Sequence, residues 1–321
     1  VVYFSEKLIE MGRNFANKVW NATNFVLMNL EGFDPKTIKK EDLQLELVDH
    51  WIYSRLNTTI KETQDYLEKY TLDEAAKTVY EFIRWDFCDW HVEMAKVRLY
   101  MNDDVKSKQT AQYVLWDVLE HALRLLHPFM PFITEELWQQ LKVEGETIML
   151  QAFPKADESQ ISEEIEKSMN WLQEAITAFR NIRAEANINP GKEVPALVRT
   201  NDAEEIKILE NNKSFLMKLA KLSSLDFGAD IQKPDLSGFR VVGKSELIVP
   251  LLGLLDTEAE KKKILDQIAK LENWLASCER KLNDGVFMSK APAQIIEREV
   301  NNKADYLQKI EKLKKNLALL W

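Results

Sequence analysis

Apolar side chains recur three and four positions apart through the first part of the chain, and this spacing is typical of amphipathic helices that bury one face. The first predicted helix runs from about Ser5 to Leu30 and ends near Glu31–Pro35, where glycine and proline stop helices. A second is predicted to begin near Glu46. Because such segments follow one another with short connections and no strand pattern, they predict an antiparallel helical bundle over residues 1–153.

Two further helix starts are predicted from local patterns in the same region. Thr71–Glu74 has the spacing of a capping box, in which a threonine and a glutamate three residues later satisfy free N–H groups. His127–Pro131 contains two prolines and is predicted to end the preceding helix. Thr134, which is followed by two glutamates, is predicted to be the N-cap of the next helix.

Residues 154–255 have a mixed character and predict a small α+β module. The predicted elements are helices at Met169–Ala186 and Ala203–Leu222 and strands at Val194–Thr200, Leu225–Phe227 and Leu247–Leu251.

Residues 256–321 carry a heptad pattern. Apolar residues from Ile264 to Leu282 alternate spacings of four and three, Asn283–Gly285 interrupts them, and a second apolar stripe runs from Ile296 to Leu320. Two helices of similar length around one break predict an antiparallel coiled-coil hairpin. The predicted fold class is therefore mainly α, with a helical bundle, a small α+β module and a terminal coiled-coil hairpin.

The charge of the chain is uneven. The net charge of −9 argues against nucleic acid as a partner, because phosphate contacts need lysine and arginine. Residues 256–321 nevertheless contain 13 Lys and Arg against 11 Asp and Glu, which permits contact with RNA. Two distant cysteines and four histidines without ligand spacing predict no metal site and a reducing compartment, the cytoplasm. No apolar run is long enough for a membrane helix, and no signal-peptide pattern opens the sequence.

No pattern in the sequence predicts catalysis. There is no glycine-rich phosphate loop and no Ser/His/Asp or Cys/His arrangement, so neither a catalytic residue nor a cofactor is predicted. Phe287–Lys290 resembles part of the Lys-Met-Ser-Lys-Ser loop with which class I aminoacyl-tRNA synthetases bind ATP. It lies at the break between the two coiled-coil helices, so we interpret it as a turn with helix entry at Pro292.

The first predicted helix carries an unusual polar face. Four asparagines fall within about 80° of one another at 100° per residue, namely Asn14, Asn17, Asn21 and Asn24. Arg13 and Lys18 flank this stripe. Asparagine is a poor helix former, but its amide both donates and accepts hydrogen bonds, as the reading of an unstacked base requires. The alternative is that these amides bridge to neighbouring helices or turns.

An aromatic-rich stretch follows in the third predicted helix. Five of the eleven residues from Tyr80 to Trp90 are aromatic, which is more than one helix stripe can bury. We expect some of these rings at the edge of the bundle, where an aromatic near Lys96 could stack a single-stranded base. The alternative is that every ring lies in the core or between helices.

Several motifs in fixed order resemble the C-terminal part of the bacterial valyl-tRNA synthetases, and they cover essentially the whole chain. These are Gly12–Ala22, Phe25–Leu30, Tyr80–Phe82, Phe87–Trp90, His127–Trp138, Arg180–Glu185, Asn187, Pro190–Lys192 and Ser289–Pro292. The motif at His127–Trp138 is shared with the isoleucyl and leucyl enzymes. The terminal coiled coil and the lack of a cysteine-rich zinc module favour the valyl family.

The resemblance implies an anticodon-binding domain over residues 1–153, a connecting module over 154–255 and a tRNA-binding arm over 256–321. It implies that the whole enzyme ligates valine to tRNA(Val) with ATP and edits mischarged threonine. The signatures of the catalytic domain are absent, so we expect this chain to be inactive alone, monomeric and without its own cofactor.

The resemblance also suggests which residues meet tRNA. The polar face and its flanking cations would contact the anticodon loop through Arg13, Asn14, Asn17, Lys18 and Asn21. By analogy with the methionyl enzyme, Trp90 would stack an anticodon base, with Lys96 nearby. The residues around the hairpin tip that would hold the tRNA backbone are Arg280, Lys281, Lys290 and Arg298. The remaining alternatives are an isoleucyl or leucyl enzyme fragment and a structural protein whose coiled coil binds other proteins.

Overall fold

The computed structural model describes residues 5–100, 104–141, 143–252, 257–285, 287 and 291–318, with only the backbone at 257–263, 293, 316 and 318. The chain divides into two compact units, which comprise residues 1–174 with 208–219, and 175–207 with 220–321. Within the described residues, no helix is both long and apolar enough to cross a membrane. The predicted mainly α fold class is confirmed.

The first unit is built from helices. They are α1 (Glu6–Asn29), α2 (Leu47–Glu68), α3 (Leu72–Glu81), α4 (Val92–Tyr100), α5 (Val105–Leu126), α6 (Pro131–Gln140) and the first half of α7 (Glu163–Glu185). Between α3 and α4 the chain remains helical but with wider turns, and we call Phe82–His91 the π segment. Short 3₁₀ turns lie at Pro35–Thr37, Lys40–Asp42, Ile148–Leu150 and Glu158–Gln160. The predicted bounds of the first helix are confirmed to within a residue.

Large apolar side chains from several helices fill the core of this unit. The buried rings include Trp51 of α2, Phe82 and Phe87 of the π segment, and Trp138 of α6. Full burial of one such side chain contributes about 1.5–3 kcal/mol. The core therefore fixes the faces of α2, α6 and the π segment that turn inward, and with them the side chains left on the surface.

A buried polar cluster fixes the start of α2. The Glu46 N–H donates to the Asp49 carboxylate at 2.9 Å, as in a capping box, which confirms the predicted start. Asp49 also accepts from the buried Arg98 guanidinium at 2.5 Å, and Arg98 donates to Ser107 at 2.9 Å. Because each buried polar group has a partner, the cluster ties α2, α4 and α5 together without an unpaired charge.

Two predicted N-caps were wrong in their chemistry. Helix α3 does begin after Thr71, but the Thr71 hydroxyl donates to the Tyr66 carbonyl at 3.1 Å and thereby closes α2 instead. Thr134 lies inside α6, where its hydroxyl donates to the Met130 carbonyl at 2.9 Å. Helix α6 starts earlier because Pro131, whose ring fixes φ near the helical value, occupies its first position.

The second unit contains a four-stranded sheet with the order β2-β1-β4-β3. The strands are β1 (Val194–Arg199), β2 (Leu222–Gly228), β3 (Ser237–Val242) and β4 (Ser245–Pro250). Strand β1 pairs in parallel with β2 and antiparallel with β4, and β3 pairs antiparallel with β4. The predicted α+β character of this part of the chain is confirmed.

Two details of this region differ from the prediction. Strand β3 was missed, because most of its side chains are exposed and its apolar Phe239 and Val241 face outward, so it lacks the usual alternation. The helix predicted over Ala203–Leu222 is two helices, α8 (Ala203–Asn211) and α9 (Lys213–Ala220). They are separated at the buried Asn212, whose side chain donates to the Ile208 carbonyl at 2.9 Å.

The last two helices, α10 (Thr257–Asn283) and α11 (Ala293–Ala318), form the predicted antiparallel hairpin. Ile264, Ile268 and Ile310 are buried between them, and leucines of both helices pack around these three. Leu236, just before β3, packs against the same cluster. Cross-helix ion pairs such as Lys281–Glu299 and Lys314–Glu272 lie at the margins of the seam. The heptad pattern is therefore confirmed as the seam of a coiled coil.

Candidate nucleic-acid interface

The outer face of α1 presents unpartnered amides. Asn14, Asn17 and Asn21 are exposed, while Phe15 and Val19 on the opposite face are buried in the core of the first unit. Among the described residues, none of the three asparagines makes a side-chain hydrogen bond. They do not bridge to neighbouring helices, which was the alternative interpretation. The amides are thus open for hydrogen bonds with a ligand.

The two cations beside this face differ in their surroundings. Arg13 is 65% exposed and pairs with Glu10 one turn earlier at 3.2 Å, which is a weak surface contact. Lys18 is half-buried, and its Nζ lies 2.5 Å from a carboxylate oxygen of Asp89 in the π segment. The same Nζ lies 5.9 Å from the centroid of the Trp85 ring. Lys18 therefore ties the amide face of α1 to the π segment.

The π segment orients its aromatic residues in a way that an α-helix would not. In a helix closed by i→i+5 hydrogen bonds, residues four and five positions apart share a face. The buried residues Phe82, Phe87 and His91 have this spacing, and the Phe87 and His91 rings stack at 5.9 Å. Extended stretches of this geometry are rare, and short ones occur frequently at functional sites.

Trp85 and Trp90, both in the π segment, have different environments. Trp85 is 49% exposed, and the Arg84 guanidinium lies 4.7 Å from its ring centroid. Trp90, the predicted stacking residue, is half-buried and already has an interaction within the protein. The sequence did not single out Trp85. The excess of aromatics indicated an exposed ring, but not which one.

Lys96 belongs to α4 and is partly exposed. Its Nζ pairs with Glu93 at 2.5 Å and lies 5.3 Å from the ring centroid of Phe25 in α1. The structure thus places Lys96 against Phe25 of α1. The sequence had predicted Lys96 near Trp90, the expected stacking residue.

The four arm residues predicted to meet tRNA differ in how far their charges are exposed or paired. Arg280 and Arg298 are exposed, and within the described part of the hairpin the Arg280 side chain makes one hydrogen bond, at 3.3 Å from Nε to the Ala276 carbonyl of its own helix. Lys281 pairs with Glu299 across the hairpin at 2.8 Å, and this carboxylate raises the pKa of Lys281. Lys290 lies outside the described residues. Of the three described members of this set, Arg280 and Arg298 therefore have the more accessible charge.

Arg183 of the Arg180–Glu185 motif and the following Asn187 stabilise the fold, which the sequence did not indicate. Arg183 is buried, and its guanidinium donates to the carbonyls of Lys221, of Lys192 at 2.7 Å and of Ala220 at 3.2 Å. Asn187, with φ of +52°, ends α7: the N–H groups of Asn187 and Ile188 donate to the carbonyls of Ala184 and Arg183, as in a Schellman motif. These two positions hold the loop between α7 and β1.

Comparison with known proteins identifies two segments of the chain. Residues 49–198 match the family model described as the anticodon-binding domain of tRNA ligase. Residues 256–320 match the model described as the valyl tRNA synthetase tRNA binding arm. Helix α1 with its amide face lies before the first matched range.

Whole-chain relatives agree with these matches. The chain is 56% identical over 318 residues to a valine–tRNA ligase of Fusobacterium nucleatum subsp. nucleatum, covering 98% of this chain and 36% of that protein. It is 41% identical to the valine–tRNA ligase of Geobacter sulfurreducens, covering 96% of this chain and 35% of the relative. For the valine–tRNA ligase of Geobacillus stearothermophilus the identity is 41%, and the coverage is 99% and 36%.

The chain thus spans about a third of the length of these relatives. Its two matched segments carry most of the helical unit, without the amide face of α1, and the coiled-coil hairpin. The chain belongs to the valyl-tRNA synthetase family, of which it contains an anticodon-binding domain and a tRNA-binding arm.

Proposed function

We propose that this chain is the tRNA-binding portion of a valine–tRNA ligase and that it holds tRNA(Val) by the anticodon loop. The observation that carries this proposal is the outer face of α1. Three exposed amides that make no side-chain hydrogen bond to any described residue, Asn14, Asn17 and Asn21, adjoin the cations Arg13 and Lys18. The match to an anticodon-binding family supports the same partner.

Amides suit this task better than charged groups do. An asparagine side chain donates and accepts at once, so it can pair with the Watson–Crick edge of a base that is splayed out of a loop. A lysine or arginine beside it meets the adjacent phosphates, which gives affinity without sequence preference. In this proposal the asparagines provide specificity, and Arg13, Lys18 and Lys96 provide affinity.

The coiled-coil hairpin would hold the outer corner of the tRNA through its backbone. Arg280 and Arg298 present exposed guanidinium groups, which match phosphate geometry with two parallel hydrogen bonds. Lys281 would contribute by exchanging Glu299 for phosphate, and Lys290 belongs to the same proposed set. The match of residues 256–320 to a tRNA-binding arm supports this assignment.

We assign valine activation with ATP, transfer to tRNA(Val) and threonine editing to the whole protein rather than to this chain. The chain alone would be inactive, monomeric and without cofactor or metal, and it would act in the cytoplasm. An isoleucyl or leucyl enzyme and a coiled-coil scaffold are the alternatives, and the relatives named valine–tRNA ligase favour the valyl assignment over both.

Binding of the 321-residue chain to tRNA(Val) and to the same tRNA with an exchanged anticodon, over a salt series, tests the proposal. We expect affinity that falls with salt and falls further when the anticodon is exchanged. Equal binding of the two tRNAs would contradict anticodon reading and leave only backbone contacts. No binding to either at low salt would refute the assignment.

Variants can then locate the reading surface. Replacement of Asn14, Asn17 and Asn21 together by alanine should remove the preference for the native anticodon while the salt dependence remains. Asn170, an exposed asparagine of α7, offers a matched control, and Asn170→Ala should keep the preference.

A further inference from the structure

Two cations lie over the ring of Trp85, and about half of the residue remains exposed to solvent. The Arg84 guanidinium lies 4.7 Å and the Lys18 Nζ 5.9 Å from its ring centroid, while 49% of the residue stays exposed. By contrast, Trp51 and Trp138 in the core of the same unit are each 1% exposed. A single exposed tryptophan is common on protein surfaces, so what distinguishes Trp85 is the set of groups around its ring.

The surroundings of Trp85 are fixed by contacts from two elements. Lys18 of α1 is anchored by its 2.5 Å ion pair with Asp89, four residues further along the π segment. Arg84 also lies 5.8 Å from the ring centroid of Tyr80, so its guanidinium is placed between two rings. Among the described residues Arg84 has no carboxylate partner, which leaves its positive charge available to an anion.

These features together make a platform for a nucleobase. An aromatic ring that is held in one orientation and has an open surface loses little conformational entropy on stacking. Cations close to such a ring attract the phosphates on either side of the stacked base, which is the combination found in single-strand binding sites. The platform adjoins α1 through Lys18, one residue from Asn17.

We propose that Trp85 stacks an unpaired base of the tRNA loop bound on the amide face of α1, and that Arg84 holds a phosphate beside it. This inference rests on the proposed function and assigns stacking to a residue other than Trp90. Trp90 supports the fold from its half-buried position, and the π segment serves to turn Trp85 outward while Phe82, Phe87 and His91 stay buried.

The chain offers a matched control on α1. Trp20 is 40% exposed, comparable to Trp85, but among the described residues no cation lies over its ring. If exposure alone were enough for stacking, Trp20 and Trp85 would behave alike. The proposal predicts that they differ.

The test uses tRNA(Val) transcripts that carry 2-aminopurine, whose fluorescence changes on stacking, at one unpaired anticodon-loop position at a time. Wild-type protein should change the fluorescence at one position, and Trp85→Phe should preserve that change. Trp85→Ala should abolish it and weaken binding of unlabelled tRNA by about 5- to 150-fold. Trp20→Ala should match wild type in both readouts, and circular dichroism confirms that each variant is folded.

A second variant tests the role of the cation. Arg84→Gln should weaken binding, lower the salt slope by about 0.7, as for one single-strand phosphate, and leave the fluorescence change in place. A Trp85→Ala protein that binds tRNA and changes the fluorescence as wild type does would overturn the inference. So would loss of the fluorescence change in Trp90→Ala but not in Trp85→Ala. Failure of the wild-type chain to discriminate anticodons would instead refute the proposed function itself.

Discussion

Replacement of Arg183 by methionine should destabilise the second unit strongly, although among the described residues no carboxylate forms an ion pair with it. Methionine keeps an unbranched apolar side chain of similar length and removes the guanidinium. In the native fold this group is 6% exposed and binds carbonyls from two places: the end of α9 with Lys221, and Asn189–Lys192. Backbone dipoles and the nearby Glu193 carboxylate together balance the charge.

The expected cost follows from the fate of these carbonyls. Lys221 keeps the Val194 N–H, which donates to the same oxygen at 3.2 Å, so this carbonyl is not left without a partner. The Lys192 and Ala220 carbonyls lose the bonds at 2.7 and 3.2 Å. Each lost partner of a buried polar group costs about 1–3 kcal/mol, and part of this is recovered because the charge is no longer buried. We expect a loss of about 2–4 kcal/mol in the free energy of unfolding.

Urea unfolding followed by circular dichroism measures this loss, and two variants calibrate it. Arg183→Lys retains the charge but cannot reach both carbonyl groups with one ammonium, so it should recover less than half of the loss. Arg240→Met removes an exposed arginine that pairs with Glu185 and should cost under about 0.5 kcal/mol. If Arg183→Met is no less stable than Arg240→Met, the hydrogen bonds between the Arg183 guanidinium and the backbone carbonyls do not stabilise the second unit.

Three further predictions concern single positions. Tyr70 ends α2 at φ of +58° and is 88% exposed, so Tyr70→Gly should raise the free energy of unfolding by about 1 kcal/mol; a lower melting temperature in calorimetry would contradict this. Burial lowers the pKa of His91 to about 3, so the unfolded chain binds a proton that the folded chain does not, and stability should fall as pH drops from 6.5 toward 3. The slope from this residue is up to about 1.4 kcal/mol per pH unit, and it should vanish in His91→Phe; parallel pH profiles of urea midpoints for the two proteins would exclude it. A Cβ on Gly238 would lie 2.5 Å from Cγ2 of Ile182, so Gly238→Ala should cost about 1–3 kcal/mol in thermal or urea unfolding, and an unchanged midpoint would show that α7 yields.

The helices were predictable from the sequence because their signal is local. The apolar spacing of α1 and the heptads of α10 and α11 each depend on residues within a few turns, and all three helices were predicted to within a few residues. Strand β3 was not, because Phe239 and Val241 face outward and hide the alternation. The N-cap at Thr134 failed because the fixed φ of Pro131 starts the helix one turn earlier.

The candidate site was likewise predictable only where its sequence signal is local. The amide face of α1 is a property of one helix, so the spacing placed Asn14, Asn17 and Asn21 on one side of it, but it left open whether that side faces solvent or neighbouring helices. The choice between Trp85 and Trp90 depends on the wide turns of the π segment and on Lys18, whose ion pair spans 71 residues of sequence. No local pattern encodes such a contact.

The ion pair between Lys18 and Asp89 also changes what a salt titration of tRNA binding can count. When an unpaired lysine meets a phosphate, the RNA loses a condensed counterion, and the slope of affinity against salt records that loss. If Lys18 meets a phosphate as proposed, it leaves Asp89, and the bare carboxylate takes up a cation from solution. Such an exchange is nearly neutral in released ions, and the same holds if Lys281 leaves Glu299. The salt slope would then report fewer phosphate contacts than the complex contains.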